Sequence, residues 1–266
     1  PDVRDLLDLA ILIYVADETV PRQNQPDGWS RPLNLVVPVR HPAVWRGGTQ
    51  GIAELLKFLS GDNVSFTWEE CSRVPAYSQT RHRQRIRRGF DVVCLFSGGL
   101  DSLCGAYELL SSGKRVLLVG HSGKPVDSAA QQELALWLAQ RFGDSVSLVQ
   151  CWCARSRHPR ARRFALPEAA EDTHRTRSLL FLALAASVAC AAQVGSIYMP
   201  ENGLIALNSP LELSRIGPLS TRTAHPAFLA GVLDMMHQLG LFPGSLTNPY
   251  LYKSKPQIVS ECAAEL

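Results

Sequence analysis

Read for the spacing of its apolar positions, the chain divides into two textures that meet near residue 88. In the first, Leu9–Val15 and Leu33–Val39 are short β-prone runs, Gln50–Leu59 sets Ile52, Leu55, Leu56 and Leu59 at helical spacing, and Val64–Trp68 alternates. Turn residues such as Asp27-Gly28 and Gly61-Asp62-Asn63 separate these runs. Residues 1–88 are therefore predicted as a small α+β domain, and they offer no recognisable set of reactive side chains.

From Phe90 strands and helices alternate. Asp91–Phe96 is an apolar strand, and Asp101–Ser112 a helix with Leu103, Ala106, Tyr107 and Leu110 on one face and Gly113 placed for a left-handed cap. Arg115–Val119 is the next strand, Asp127 or Ser128 caps a helix to about Phe142, and Ser145–Val149 is a third strand. The basic segment Cys151–His174 is too long for an ordinary connection and reads as a mobile lid or partner-binding loop. A helix over Arg177–Gln193, a strand at Ser196–Met199, a polar stretch from Pro200 to Pro226 and a helix facing Phe228, Leu229, Val232, Leu233 and Met236 inward complete the pattern. Such alternation predicts an α/β fold, a parallel sheet with helices on both faces, over residues 89–266.

Composition narrows the class. With 266 residues, 46% hydrophobic and 19% charged, the chain buries a sizeable core in one domain or two. A net charge of +3 is too small to argue for nucleic acid, although ten of the 22 arginines lie in Arg81–Arg88 and Arg155–Arg163. Seven cysteines, an odd number partly set in apolar runs, suggest a reducing, cytoplasmic setting, and no C-x2-C pair marks a zinc site. Without a signal pattern or an initiating Met, the chain reads as processed or trimmed. Ser178–Pro200 is uncharged and long enough to span a bilayer, but its Ala, Ser, Cys and Gln content and the break at Gly195 predict a buried helix and then a buried strand.

Candidate chemistry concentrates between the first strand of the second region and its helix, at Ser97-Gly98-Gly99-Leu100-Asp101-Ser102. Two glycines let backbone approach a ligand, the helix start offers free N–H groups and the positive end of its dipole, and two hydroxyls add donors. An anion such as a nucleotide phosphate is the expected occupant, although Ser and Gly also build plain strand-to-helix turns. Neither a Walker A loop nor G-x-G-x-x-G is present.

The six-residue string resembles the pyrophosphate loop of the ATP pyrophosphatases, which include argininosuccinate and GMP synthetases, tRNA thiolation enzymes and 7-cyano-7-deazaguanine synthase. The resemblance implies that Ser97, Gly98, Gly99, Leu100, Asp101 and Ser102 hold the ATP pyrophosphate with Mg2+, and that main chain near Gly120 and His121 faces adenine. His121 also reads as a satisfied histidine at a strand end. Arg175-Thr176-Arg177-Ser178-Leu179-Leu180-Phe181 and Tyr252-Lys253-Ser254-Lys255-Pro256-Gln257-Ile258-Val259 resemble elements of the 7-cyano-7-deazaguanine synthases, so Arg177 and Lys255 are expected to offset phosphate charge. Surface cations are the plain alternative there, for Lys253 more than for Lys255.

Between these elements, Pro200-Glu201-Asn202-Gly203, Leu207-Asn208, Ser214-Arg215 and Ser220-Thr221-Arg222-Thr223-Ala224-His225-Pro226 look like the synthase-like proteins of bacterial anti-phage systems, the Qat systems and type IV CBASS operons. Ala16-Asp17, Asp27-Gly28-Trp29-Ser30-Arg31 and Leu59-Ser60-Gly61-Asp62 resemble that group too. By this likeness Glu201 meets a guanine-like ring, and Asn208, Arg215 and Arg222 complete a site for a 7-deazaguanine carboxylate. Glu201 and Arg215 pairing with each other, and His225 capping the next helix, are the plain accounts. By the resemblance, the family's zinc cysteines follow the lysine-containing element, whereas only Cys262 stands there, so no metal ligand is expected in this span: either the ligands lie beyond it, with the domain's C-terminal end, or the site is gone.

The resulting expectation is an ATP-dependent ligase that adenylates 7-carboxy-7-deazaguanine, releases pyrophosphate and passes the acyl group to an amine, with a protein from the same defence operon as acceptor and no membrane partner. A nitrile-forming synthase, a tRNA-modifying relative that binds nucleic acid through the arginine clusters, and a nucleotide-binding scaffold without turnover are the alternatives.

Overall fold

The computed structural model describes residues 2–71, 86, 88–153, 175–207 and 222–265. The first element is a helix, α1 (Val3–Thr19), begun by Asp2, whose side chain accepts from the Arg4 N–H. The predicted strand at Leu9–Val15 is thus corrected to helix. Leu6, Leu9, Ala10, Ile13 and Tyr14 recur at three- and four-residue spacing on a buried face, and that packing outweighs the β-prone run from Ile11 to Val15.

β1 (Pro32–Val39) and β2 (Asn63–Glu70) lie where the alternation placed strands. They pair in parallel, Pro32 against Asn63 through Val39 against Glu70, which requires the crossover supplied by helix α2 (Pro42–Ser60). α2 starts ahead of the apolar stripe that revealed it, with Pro42 in its first turn, and stops on left-handed Gly61.

Then come β3 (Val92–Leu95), α3 (Leu100–Ser111), β4 (Val116–Ser122), α4 (Pro125–Phe142), β5 (Val146–Trp152), α5 (Arg177–Ala192) and β6 (Ser196–Tyr198), close to the predicted alternation. The cap of α4 differs: Lys124 precedes it and Pro125 opens it, so Asp127 sits inside the first turn instead of capping. α7 (Pro226–Gln238) carries the expected inward Phe228, Leu229, Val232 and Met236, and His225 Nδ1 caps it by accepting from the Ala227 N–H. Three short or weakly patterned elements were not anticipated, α6 (Gly203–Leu207), β7 (Ser245–Thr247) and α8 (Lys255–Glu265). The arginine-rich 154–163 part of the proposed lid lies outside the described residues, while Cys151 and Trp152 belong to β5.

The five later strands form one parallel sheet in the order β5-β4-β3-β6-β7. Alternate residues of each strand feed two cores. Val93, Leu95, Leu117 and Val119 face a core that runs through α5 to Leu6, Leu9 and Ile13 of α1, Ile52 and Leu56 of α2, and Val232 and Met236 of α7. Val92, Cys94, Val116 and Leu118 face Tyr107 and Leu110 of α3, Leu138 of α4 and Ile258 of α8. The protein is therefore an α/β fold with helices on both faces of a parallel sheet. Residues 178–200 are a buried helix and a strand, and among the described residues no helix is long and apolar enough to cross a membrane.

β3 is the first strand of the sheet in chain order, and β4 and β6 flank it on opposite sides. Open α/β sheets bind ligands where the connections diverge in this way, beyond the carboxyl ends of the strands.

Candidate functional site at the carboxyl ends of three strands

That crevice holds Ser97–Ser102. After β3 the chain turns through Gly98, at φ +81°, a left-handed conformation that costs any residue with a Cβ, and enters α3 from Gly99. The turn is braced from within. The Gly99 N–H donates to Ser97 Oγ at 3.2 Å, Ser102 Oγ donates to the Gly99 carbonyl at 2.8 Å, and the two hydroxyls stand 3.2 Å apart. The serines thus shape the loop, and less of their donor capacity remains for a ligand than the sequence suggested. No side chain caps α3, so the N–H groups of Leu100, Asp101 and Ser102 begin a helix without a partner among the described residues.

Asp101, in the first turn of α3, is 7% exposed. Its Oδ2 accepts from the backbone N–H of Asn202 at 3.1 Å and from Asn202 Nδ2 at 2.6 Å. Its Oδ1 is buried without a hydrogen-bond partner and lies 3.9 Å from Lys255 Nζ at the start of α8. Lys253 is turned elsewhere, with Nζ 2.5 Å from Glu261 and over the Tyr250 ring.

Glu201 follows β6 and is clamped through its backbone, its N–H donating to Asn248 Oδ1 and its carbonyl accepting from Asn248 Nδ2. Burial, and then the neighbouring Asp101 carboxylate, push its carboxyl up to about 7, against the pull of Lys255 and Arg177. Asp101, Glu201, Arg177 and Lys255 therefore form one electrostatic group drawn from α3, the end of β6, α5 and α8. Arg177 opens α5 with its guanidinium over the Phe181 ring.

A pocket lies among these parts, walled by Phe96, Ser97 and Ser102 on one side, Val119 and His121 on another, and Phe181, Pro200 and Glu201 on a third. Its interior is about 30 Å3, room for water and not for a purine.

No protein-family model matches this chain. No curated protein matches it either. Among solved structures, the crystal structure of PH1313 from Pyrococcus horikoshii Ot3 aligns over 99% of this chain and 73% of its own, with 9% identity and a TM-score of 0.34. A likeness at that level bears on neither fold nor function.

The remaining expected residues separate. Gly120 lies in β4 beside the loop. His121 is held by its Nε2 to the Cys153 carbonyl at 3.0 Å and lies between Tyr14 and Phe181, and burial lowers its pKa, as for a satisfied neutral histidine. Arg222 is directed to α2, donating to the Phe58 carbonyl at 2.6 Å and lying over the Phe58 ring. Asn208 and Arg215 lie outside the described residues, as do any contacts they make with Glu201. Among the described residues no group of three or more His, Cys, Asp or Glu is placed to hold a metal ion.

Two contributors were missed. Asn202 reads in the sequence only as part of the Pro200–Gly203 motif, yet its backbone and side-chain N–H groups both donate to Asp101. The N-terminal region was judged chemically silent, yet Asp17 of α1 accepts from the N–H and Oγ1 of Thr176, directly ahead of Arg177. No local signal exposes a contact between residues so far apart in sequence.

Proposed function

We propose that this protein is an ATP-dependent enzyme that adenylates a 7-deazaguanine carboxylate, with release of pyrophosphate and transfer of the acyl group to an amine. The observation that carries the reading is a loop of the Ser-Gly-Gly-x-Asp-Ser type whose open helix amides stand beside a buried carboxylate oxygen without a partner, at the divergence point of a parallel sheet. The amides and the cations Arg177 and Lys255 suit the phosphates. Asp101 Oδ1 fits a hard divalent ion, and magnesium bound there would neutralise phosphate charge. A purine lies across the mouth of the pocket in this reading, beside Phe181, because the interior is too small for it.

The chemical logic is that a carboxylate oxygen leaves poorly and AMP leaves well, so activation precedes attack by the amine. The resemblance of residues 200–226 to anti-phage proteins makes a protein of the same defence operon the proposed acceptor. Incubation with ATP, magnesium and 7-carboxy-7-deazaguanine is expected to release pyrophosphate, and a co-expressed neighbouring protein is expected to gain the mass of the acylated base. Failure to bind ATP overturns the proposal. ATP binding without pyrophosphate release would instead identify a nucleotide-binding scaffold without turnover.

A further inference from the structure

We propose that Gln131 is the positioning residue of the Ser97–Ser102 loop, holding the ends of β3 and β4 in register so that the loop amides converge on one anion. This rests on the phosphate reading of the loop. Gln131 lies in the middle of α4 and is fully buried. Its Nε2 donates to the His121 carbonyl at 2.9 Å and, over a longer 3.4 Å, to the Ser97 carbonyl. Its Oε1 accepts from Gln150 Nε2 at 3.0 Å. Gln150 is oriented in turn, because its Nε2 also donates to the Ser128 carbonyl at 2.9 Å and its Oε1 accepts from Gln132 Nε2 at 2.7 Å. The chain of amides runs from the solvent side of α4, through the edge strand β5, to the two strand ends that border the loop.

The fit is steric as well as polar. A Cβ on Gly120 would lie 2.3 Å from Gln131 Oε1, and one on Gly98 would lie 3.2 Å from both its Cγ and its backbone nitrogen. The two glycines and the glutamine are one interlocked unit, with the side chain filling the space that two absent side chains leave. A core-facing glutamine at i, i+4, i+7 with Ala135 and Leu138 has no role in packing that a leucine would not fill better; its two carbonyl partners supply the reason for an amide.

The test is Gln131→Met, which keeps the length of the side chain and removes all three hydrogen bonds. With a native circular dichroism spectrum, the variant is expected to bind magnesium pyrophosphate about tenfold more weakly and to exchange the amide hydrogens of residues 97–102 faster than the parent, while exchange in α7 stays unchanged. Unchanged loop exchange overturns the proposal. Should Gln131→Met fail to fold, Gln150→Met leaves Gln131 in place without its orienting donor, and a smaller change in the same direction is expected. The exchange measurement needs no nucleotide. If the parent protein binds no ATP or pyrophosphate, the functional reading falls while the exchange comparison still decides the role of Gln131.

Discussion

Asp101 carries two obligations at once. One oxygen satisfies two donors of Asn202, and the other faces Lys255 without a hydrogen bond. Truncation to alanine therefore orphans a buried N–H, and Asp101→Ala is expected to cost about 1–3 kcal/mol in urea unfolding. Asp101→Asn keeps an acceptor for Asn202 and removes the charge, so it should unfold close to the parent while pyrophosphate release falls by about 100-fold. Equal loss of stability in both variants would show that the carboxylate is structural. Glu201 gives a pH signature. Its native pKa of about 7 lies above the ordinary 4.5, so between these values the folded protein keeps a proton that the unfolded chain has released. The neutral carboxyl's contribution is complete below about pH 4.5 and is lost as pH rises through 7. Glu201→Gln lacks that loss, and its melting temperature should rise relative to the parent between pH 5 and 8; a constant difference would contradict the buried, Asp101-facing placement.

Secondary structure was legible wherever one period ran long enough. α3, α7, β1 and β2 follow from it, β3 to β6 and α5 follow from apolar runs bounded by turn residues, and the Ser97–Ser102 loop follows from its own letters because its bonds are local. α1 misled because Ile11 to Val15 is β-prone in isolation, and only the partners of Leu6, Leu9 and Ile13 reveal a helix. β7 and α6 are too short to show any period. The placement of Glu201 was equally hidden, since it depends on how closely β6 approaches α3. Gly105 makes that approach possible: a Cβ there would lie 2.6 Å from Pro200 Cβ. Gly105→Ala, ordinarily a stabilising change inside a helix, is expected to destabilise the protein by about 1–3 kcal/mol and to weaken magnesium pyrophosphate binding, because Pro200 and its neighbour Glu201 must move. A rise in melting temperature would show that the contact is slack.

The sheet and the N-terminal region are joined by charge as well as by the core. Arg22 and Arg31 bind Asp62 and Asp17 in a cluster that is almost wholly buried, with Arg31 Nη2 2.5 Å from Asp17 and 2.7 Å from Asp62. Asp17 also holds Thr176, and Arg175 donates to the Ser60 carbonyl while stacked 3.7 Å over Trp29. The start of α5, and with it Arg177, is thus fixed by residues more than a hundred positions earlier in the chain. A buried pair contributes little net stability compared with an apolar equivalent, but removal of one partner strands the other charge. Asp62→Asn is expected to cost about 3–5 kcal/mol, and because Arg31 spans Asp62 and Asp17, the disturbance should reach Arg177 and lower affinity for magnesium pyrophosphate. The pH dependence supplies an independent check. Burial opposes ionisation of Asp62, yet Arg31 and Arg22 hold its carboxyl below the ordinary value, so its contribution is present above the unfolded pKa and is lost as pH falls through the lowered native one. The parent should therefore lose stability on acidification more steeply than Asp62→Asn, as measured by urea midpoints between pH 7 and 3. Parallel curves would mean that Arg22 and Arg31 do not hold the Asp62 carboxylate ionised in the folded state.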